Sequence, residues 1–94
     1  MIISMNEARE TLRIDGTDND DIIEPLLIAI PHYLESTTGR TWIEGSFTHP
    51  LAQTTAKFLL QLWYHPQTED SERLKKTIDN LLVALTVIGR NSNG

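Results

Sequence analysis

The stretch DDIIEPLLIAIPHYLESTTG, residues 20–39, decides the fold. Ile22, Ile23, Leu26, Leu27, Ile30, Tyr33 and Leu34 recur at three- and four-residue intervals, the period of one buried helical face. Asp20 and Asp21 stand where a helix N-terminus accepts a cap and where its dipole favours negative charge. Glu24, three residues after Asp21, completes a capping-box pattern. Gly39 suits the left-handed position that ends a helix. A helix is therefore predicted over about 21–38, starting near Asp20 or Asp21. Pro25 falls in or just after its first turn, where a missing N–H costs little. Pro31 falls in the middle, where it removes a backbone bond and crowds the preceding turn, so a kink or local break is predicted there.

Towards the N-terminus, Ser4 followed by Glu7 is another capping-box pattern. A short helix is predicted over about 4–13, with Met5, Ala8 and Leu12 as a narrow apolar stripe. The acidic run Asp15 to Asp21 then reads as a loop, with Gly16 free to take a positive φ.

Towards the C-terminus, residues 40–49 change character. Thr41-Trp42-Ile43 and Phe47-Thr48 favour extended backbone around a Gly45-Ser46 turn, which predicts an irregular segment or a short hairpin. Pro50, preceded by His49, suits the first position of a third helix over 50–64. Leu51, Thr55, Phe58, Leu59 and Leu62 share its face, Trp63 and Tyr64 thicken its end, and His65-Pro66 stops it. A fourth helix is predicted over 71–88. It carries Leu74, Ile78, Leu81, Leu82, Leu85 and Ile88 on one face, and Val83, Ala84 and Val87 widen the apolar arc. Gly89 is its predicted C′ residue, with a frayed polar tail beyond and 91–94 disordered. The expectation is an all-α, four-helix domain over 1–90.

Composition narrows the chemistry. The chain has 94 residues, a net charge of −5 and no cysteine. Thiolate zinc sites, thiol nucleophiles and redox CxxC chemistry are excluded. No apolar run approaches the roughly 20 residues of a membrane helix, and residues 1–12 lack the pattern of a signal peptide, so a soluble, intracellular protein is expected. The eight basic residues are scattered, with only Lys75 and Lys76 adjacent, unlike the basic patch of a nucleic-acid binder.

No phosphate-binding, dinucleotide, nucleophile-elbow or zincin motif is present. His32, His49 and His65 form no ligand set beyond the weak His32–Glu35 spacing. The loop from Asp15 fails as a calcium loop: Asp20 stands where glycine is required and Leu26 where a glutamate is required. The carboxylate pairs Asp20/Asp21 and Glu69/Asp70 sit at loop–helix junctions, where capping explains them. No catalytic residue, cofactor or metal site is expected.

What remains is surface. The second and fourth helices are apolar over wide arcs for so small a domain, which suggests a partner surface. Trp42, in its glycine-flanked loop, has two options: folded back on the core, or exposed as a partner anchor, since tryptophan is enriched at interface hot spots. Trp42, Ile43, Phe47, Trp63 and Tyr64 are the candidate subunit or partner interface.

The order of features is itself distinctive: Leu12-Arg13-Ile14-Asp15, then Asp20-Asp21-Ile22-Ile23, Tyr33-Leu34-Glu35, Thr38-Gly39-Arg40 and Leu62-Trp63-Tyr64, closed by an apolar helix. Over about residues 3–85 the chain resembles the small head–tail connector proteins of tailed phages and prophages, often labelled phage DNA-packaging proteins. It departs from their pattern at Pro31, where a good helix former is usual, and at His65-Pro66, where an Asx-Arg pair is common. The resemblance implies a non-enzymatic structural protein of the virion, assembled in the host cytoplasm. It implies a self-assembled ring of about a dozen copies under the portal protein, a docking platform for a tail or stopper protein, and a channel for double-stranded DNA without specific binding. An acidic lumen would repel the duplex and let it slide. The alternative is a small helical regulatory domain, DNA-binding or protein-binding, whose recognition helix would have to be the third, with only Gln53, Lys57 and Gln61 to offer.

Overall fold

The computed structural model describes residues 2–44 and 47–91, and the side chains of all these except Glu44, Phe47 and Asn91. The protein is all-α in architecture, with four helices and one very short hairpin. In chain order the elements are α1 (Met5–Leu12), α2 (Asp20–Thr38), β1 (Ile43–Glu44), β2 (Phe47–Thr48), α3 (Pro50–Tyr64) and α4 (Ser71–Asn91). The predicted turn residues Gly45 and Ser46, and 92–94 of the predicted tail, lie outside the described residues.

α1 begins as its sequence dictates. The Ser4 hydroxyl accepts from the Glu7 N–H at 3.1 Å, and the Glu7 carboxylate accepts from the Ser4 N–H at 2.9 Å. That backbone hydrogen bond from Ser4 holds the Glu7 carboxyl below its ordinary range. Ile3 and Ala8, both buried, occupy the two positions of a hydrophobic staple. Arg13 ends the helix in the left-handed region at φ 58°.

α2 starts where the Asp20-Asp21 pair predicts. It begins at Asp20, its N-cap is Asn19, and no side chain caps it. With Asn19 at the N-cap, Asp21 lies inside the helix at its second position, so the predicted Asp21–Glu24 capping box does not form; the Asp20 carboxylate meets Arg9 of α1. Ile23, Leu27, Ile30 and Leu34 are fully buried, whereas Ile22 and Tyr33, expected on the same face, are exposed at 56% and 37%. The helix runs without interruption through Pro25 and Pro31, so the predicted local break at Pro31 is absent. One lost hydrogen bond there is flanked by three buried anchors, Leu27, Ile30 and Leu34, which hold both halves on the core. At the C-terminus Gly39 takes φ 86° and its N–H bonds to the Glu35 carbonyl at 2.8 Å. The Thr37 and Thr38 hydroxyls donate to the Tyr33 and Leu34 carbonyls.

The segment after Gly39 resolves to the hairpin option, with Ile43 opposite Thr48 and Glu44 opposite Phe47. It delivers the chain to α3, which contacts α1, α2 and α4. Ala52, Thr55, Ala56, Leu59 and Leu60 are its buried residues. Two alanines on the buried face let neighbouring helices approach closely. The one buried polar side chain among the described residues, Thr55, donates to the Leu51 carbonyl at 2.8 Å and so carries no unpaired group inward.

α4 packs Ile78 and Leu85 into the same core. Its predicted end is corrected: Gly89 is not a cap but lies inside the helix, which continues to Asn91. The reason is steric. A Cβ at position 89 would stand 3.0 Å from the Arg40 Cδ and 3.7 Å from the Trp42 Cη2, so glycine is where α4 passes under the segment that follows α2. Ile2 and Ile3 complete the core at 3% and 2% exposure.

Candidate functional site

Trp42 takes the inward option. It is 6% exposed, and its indole N–H donates to the Thr38 hydroxyl at 2.8 Å. The Arg40 guanidinium carbon lies 5.0 Å from its ring centroid, within cation–π range. The His49 ring stands edge-on at 5.6 Å. The His49 N–H also donates to the Trp42 carbonyl at 3.3 Å. Trp42 thus ties together the C-terminus of α2, the N-terminus of α3 and the C-terminal turns of α4.

The other predicted interface residues divide between two places. Ile43 is half-buried against the core, while the Phe47 side chain lies outside the described residues. Trp63 and Tyr64 are half-buried at the far end of α3, roughly 20 Å along the helix from its start at 1.5 Å per residue. Trp63 meets Tyr33 edge-to-face at 5.3 Å, and Tyr64 meets His65 at 4.6 Å. The five residues therefore do not form one continuous patch.

The exposed apolar surface lies elsewhere. The exposed large hydrophobic residues are Ile22, Ile28, Tyr33, Val83 and Val87, so all of them among the described residues belong to α2 and α4. Val83 is the most exposed at 64%. Sequence periodicity placed Ile22 and Tyr33 in the core and left Ile28 unremarked. The available signal was the width of the arc: apolar residues spanning more than half a helix circumference cannot all face one core. On α4 an open depression lined by Thr37, Leu82, Val83, Thr86, Val87 and Arg90 adjoins the two valines.

Titratable groups gather at the α1–α2 junction. Arg9 donates from Nε to one Asp20 oxygen at 3.0 Å and from a terminal nitrogen to the other, and also donates to Asn6 Oδ1 at 2.8 Å. The fork geometry is that of bidentate carboxylate recognition. Its hydrogen bonding lowers the Asp20 pKa and raises that of Arg9. Both partners of the pair are committed to each other, and the pair links two helices. The His32–Glu35 pair is exposed on α2. Among the described residues no group of three or more His, Asp or Glu side chains is placed to hold a metal ion. No helix among them is long and apolar enough to cross a membrane.

Comparison with protein-family models, curated proteins and solved structures finds no match for this chain.

Proposed function

We propose that this protein is a structural head–tail connector of a tailed phage or prophage. In this reading it forms a ring of about a dozen copies beneath the portal, extends the DNA channel, and presents a platform to a tail or stopper protein. The observation that carries the reading is the placement of exposed apolar surface. Among the described residues it lies on the outer sides of α2 and α4, two separate helices, as a subunit that contacts a neighbour on each flank requires. The ordered motif set from Leu12-Arg13-Ile14-Asp15 to Leu62-Trp63-Tyr64 points the same way.

A regulatory DNA-binding role fits less well. It needs an exposed recognition helix, and α3 is packed against the three other helices. Gln53, Lys57 and Gln61 are each half-buried, and the Gln53 amide donates to the Ile2 carbonyl at 3.4 Å.

The test is assembly. Native mass spectrometry at high concentration, and electron microscopy of portal-bearing capsids incubated with the protein, should reveal a ring or ring-decorated portals. A chain that stays monomeric and also leaves such capsids undecorated is not a connector.

A further inference from the structure

The outer sides of α2 and α4 carry matched patterns. At about 100° per residue, Asp21, Ile28 and Glu35 lie on one line along α2, at least about 110° around the helix from its buried face. Lys76, Val83 and Arg90 lie on one line along α4, similarly turned away from Ile78 and Leu85. All six residues are exposed. Both lines have seven-residue spacing, so α2 reads acid–apolar–acid and α4 reads base–apolar–base in the same register. None of the four charged members makes an ion pair among the described residues. The wider charge balance agrees. α2 holds Asp20, Asp21, Glu24 and Glu35 with no lysine or arginine, whereas α4 holds four of the chain's eight basic residues against Glu72 and Asp79.

We propose that these two stripes are the halves of a head-to-tail contact between copies of this chain, with Ile28 of one copy seated on Val83 and Val87 of the next. The open depression beside the two valines supplies a concave seat. Apolar contact at the centre with opposite charges at both ends is the arrangement that fixes register between protein surfaces.

The sense of the pairing follows from the subunit, and this step rests on the connector reading. Thr37 borders the same depression as Arg90, and Arg40 packs on Gly89, so the C-terminal ends of α2 and α4 meet. The two helices also pack against each other, so they run in the same sense within a copy. A ring of about a dozen members turns each copy by only about 30° relative to the next, which carries that sense across the contact. The parallel register pairs Asp21 with Lys76, Ile28 with Val83 and Glu35 with Arg90.

Charge reversal tests the contact. Asp21→Lys/Glu35→Lys and Lys76→Glu/Arg90→Glu should each lower the assembled fraction at least about tenfold at low salt, because like charges then face each other. A chain carrying all four substitutions should assemble again. The substituted residues are exposed, so native circular-dichroism spectra and cooperative melts verify folding, with only a small fall in Tm where Asp21→Lys opposes the α2 dipole. Because the chain has no cysteine, Ile28→Cys/Val83→Cys should give a ladder of disulfide-linked multimers on oxidation, while either single-cysteine variant stays unlinked. If the wild type assembles and the charge-reversed chains assemble equally well, or if Ile28→Cys alone links into dimers as readily as the pair forms ladders, this contact is wrong and the connector reading stands. If the wild type assembles neither alone nor on portal-bearing capsids, the connector reading fails and takes the contact with it.

Discussion

Arg9 and Asp20 join α1 to the first turn of α2 through two hydrogen bonds from one guanidinium. The pair fixes the angle between a short helix and the long helix that organises the core. It commits the carboxylate of the first residue of α2 to a cation eleven positions earlier.

The pair makes stability depend on acid. The folded-state pKa of Asp20 is lowered by Arg9, so its stabilising contribution is complete above the ordinary carboxylate value of about 4. The contribution is lost as the pH falls from that value through the lowered one. Asp20→Asn should therefore reduce Tm at pH 6, and the gap to wild type should narrow as the pH falls below about 4. Asp21→Asn, which loses only the helix-dipole interaction, should show a smaller gap. Thermal melts across this pH range would decide it, and equal effects for the two variants would deny Arg9 its role.

The Trp42–Thr38 hydrogen bond is expected to matter more than its exposed neighbours suggest. Thr38→Val leaves the indole N–H unpaired in a nearly buried site, a cost of about 1–3 kcal/mol. Thr38→Ser should retain most of the stability. Trp42→Ala removes the ring that bridges three helices and should cost about 3–5 kcal/mol. Urea denaturation followed by circular dichroism measures all three. A Trp42→Ala variant as stable as wild type would return this residue to the role of partner anchor.

Much of this could be read from the sequence, and the failures have specific causes. Helix number, the Ser4–Glu7 box and the proline start of α3 depend on interactions within a few residues, and those patterns are local. The Arg9–Asp20 pair and the burial of Gly89 under Arg40 and Trp42 join residues that only the tertiary structure brings close. Ile22, Ile28 and Tyr33 are exposed against the pattern, because periodicity says that α2 has an apolar arc without saying how much of it one small core can cover. The proposed interface lies in that uncovered remainder.

Gly89 offers a test in which two effects oppose each other. Alanine is favoured over glycine inside a helix by about 1 kcal/mol. Here the new methyl meets the Arg40 side chain at 3.0 Å, and a long flexible side chain can move aside. Its movement weakens a cation–π contact worth about 0.5–1 kcal/mol at an exposed site. Gly89→Ala should therefore be close to neutral. Gly89→Leu must displace Trp42 as well and should destabilise by about 1–3 kcal/mol. Chemical denaturation of the two variants would show whether close approach, and not cap geometry, accounts for this glycine.

His49, the residue before Pro50, is the N-cap of α3, an unusual residue for that position. Its Nδ1 accepts from the Leu51 N–H at 3.1 Å, which only a neutral ring carrying its proton on Nε2 can do. Nitrogen chemical shifts of the imidazole should show that tautomer, and the opposite tautomer would rule out the cap. His49→Ala should destabilise by about 1 kcal/mol, the usual cost of losing a cap. His49→Asn can restore the hydrogen bond but not the edge-on contact with Trp42, so its stability should fall between those of wild type and His49→Ala. If His49→Asn matches His49→Ala, the ring contact with Trp42, not the cap, is what this histidine contributes to the fold.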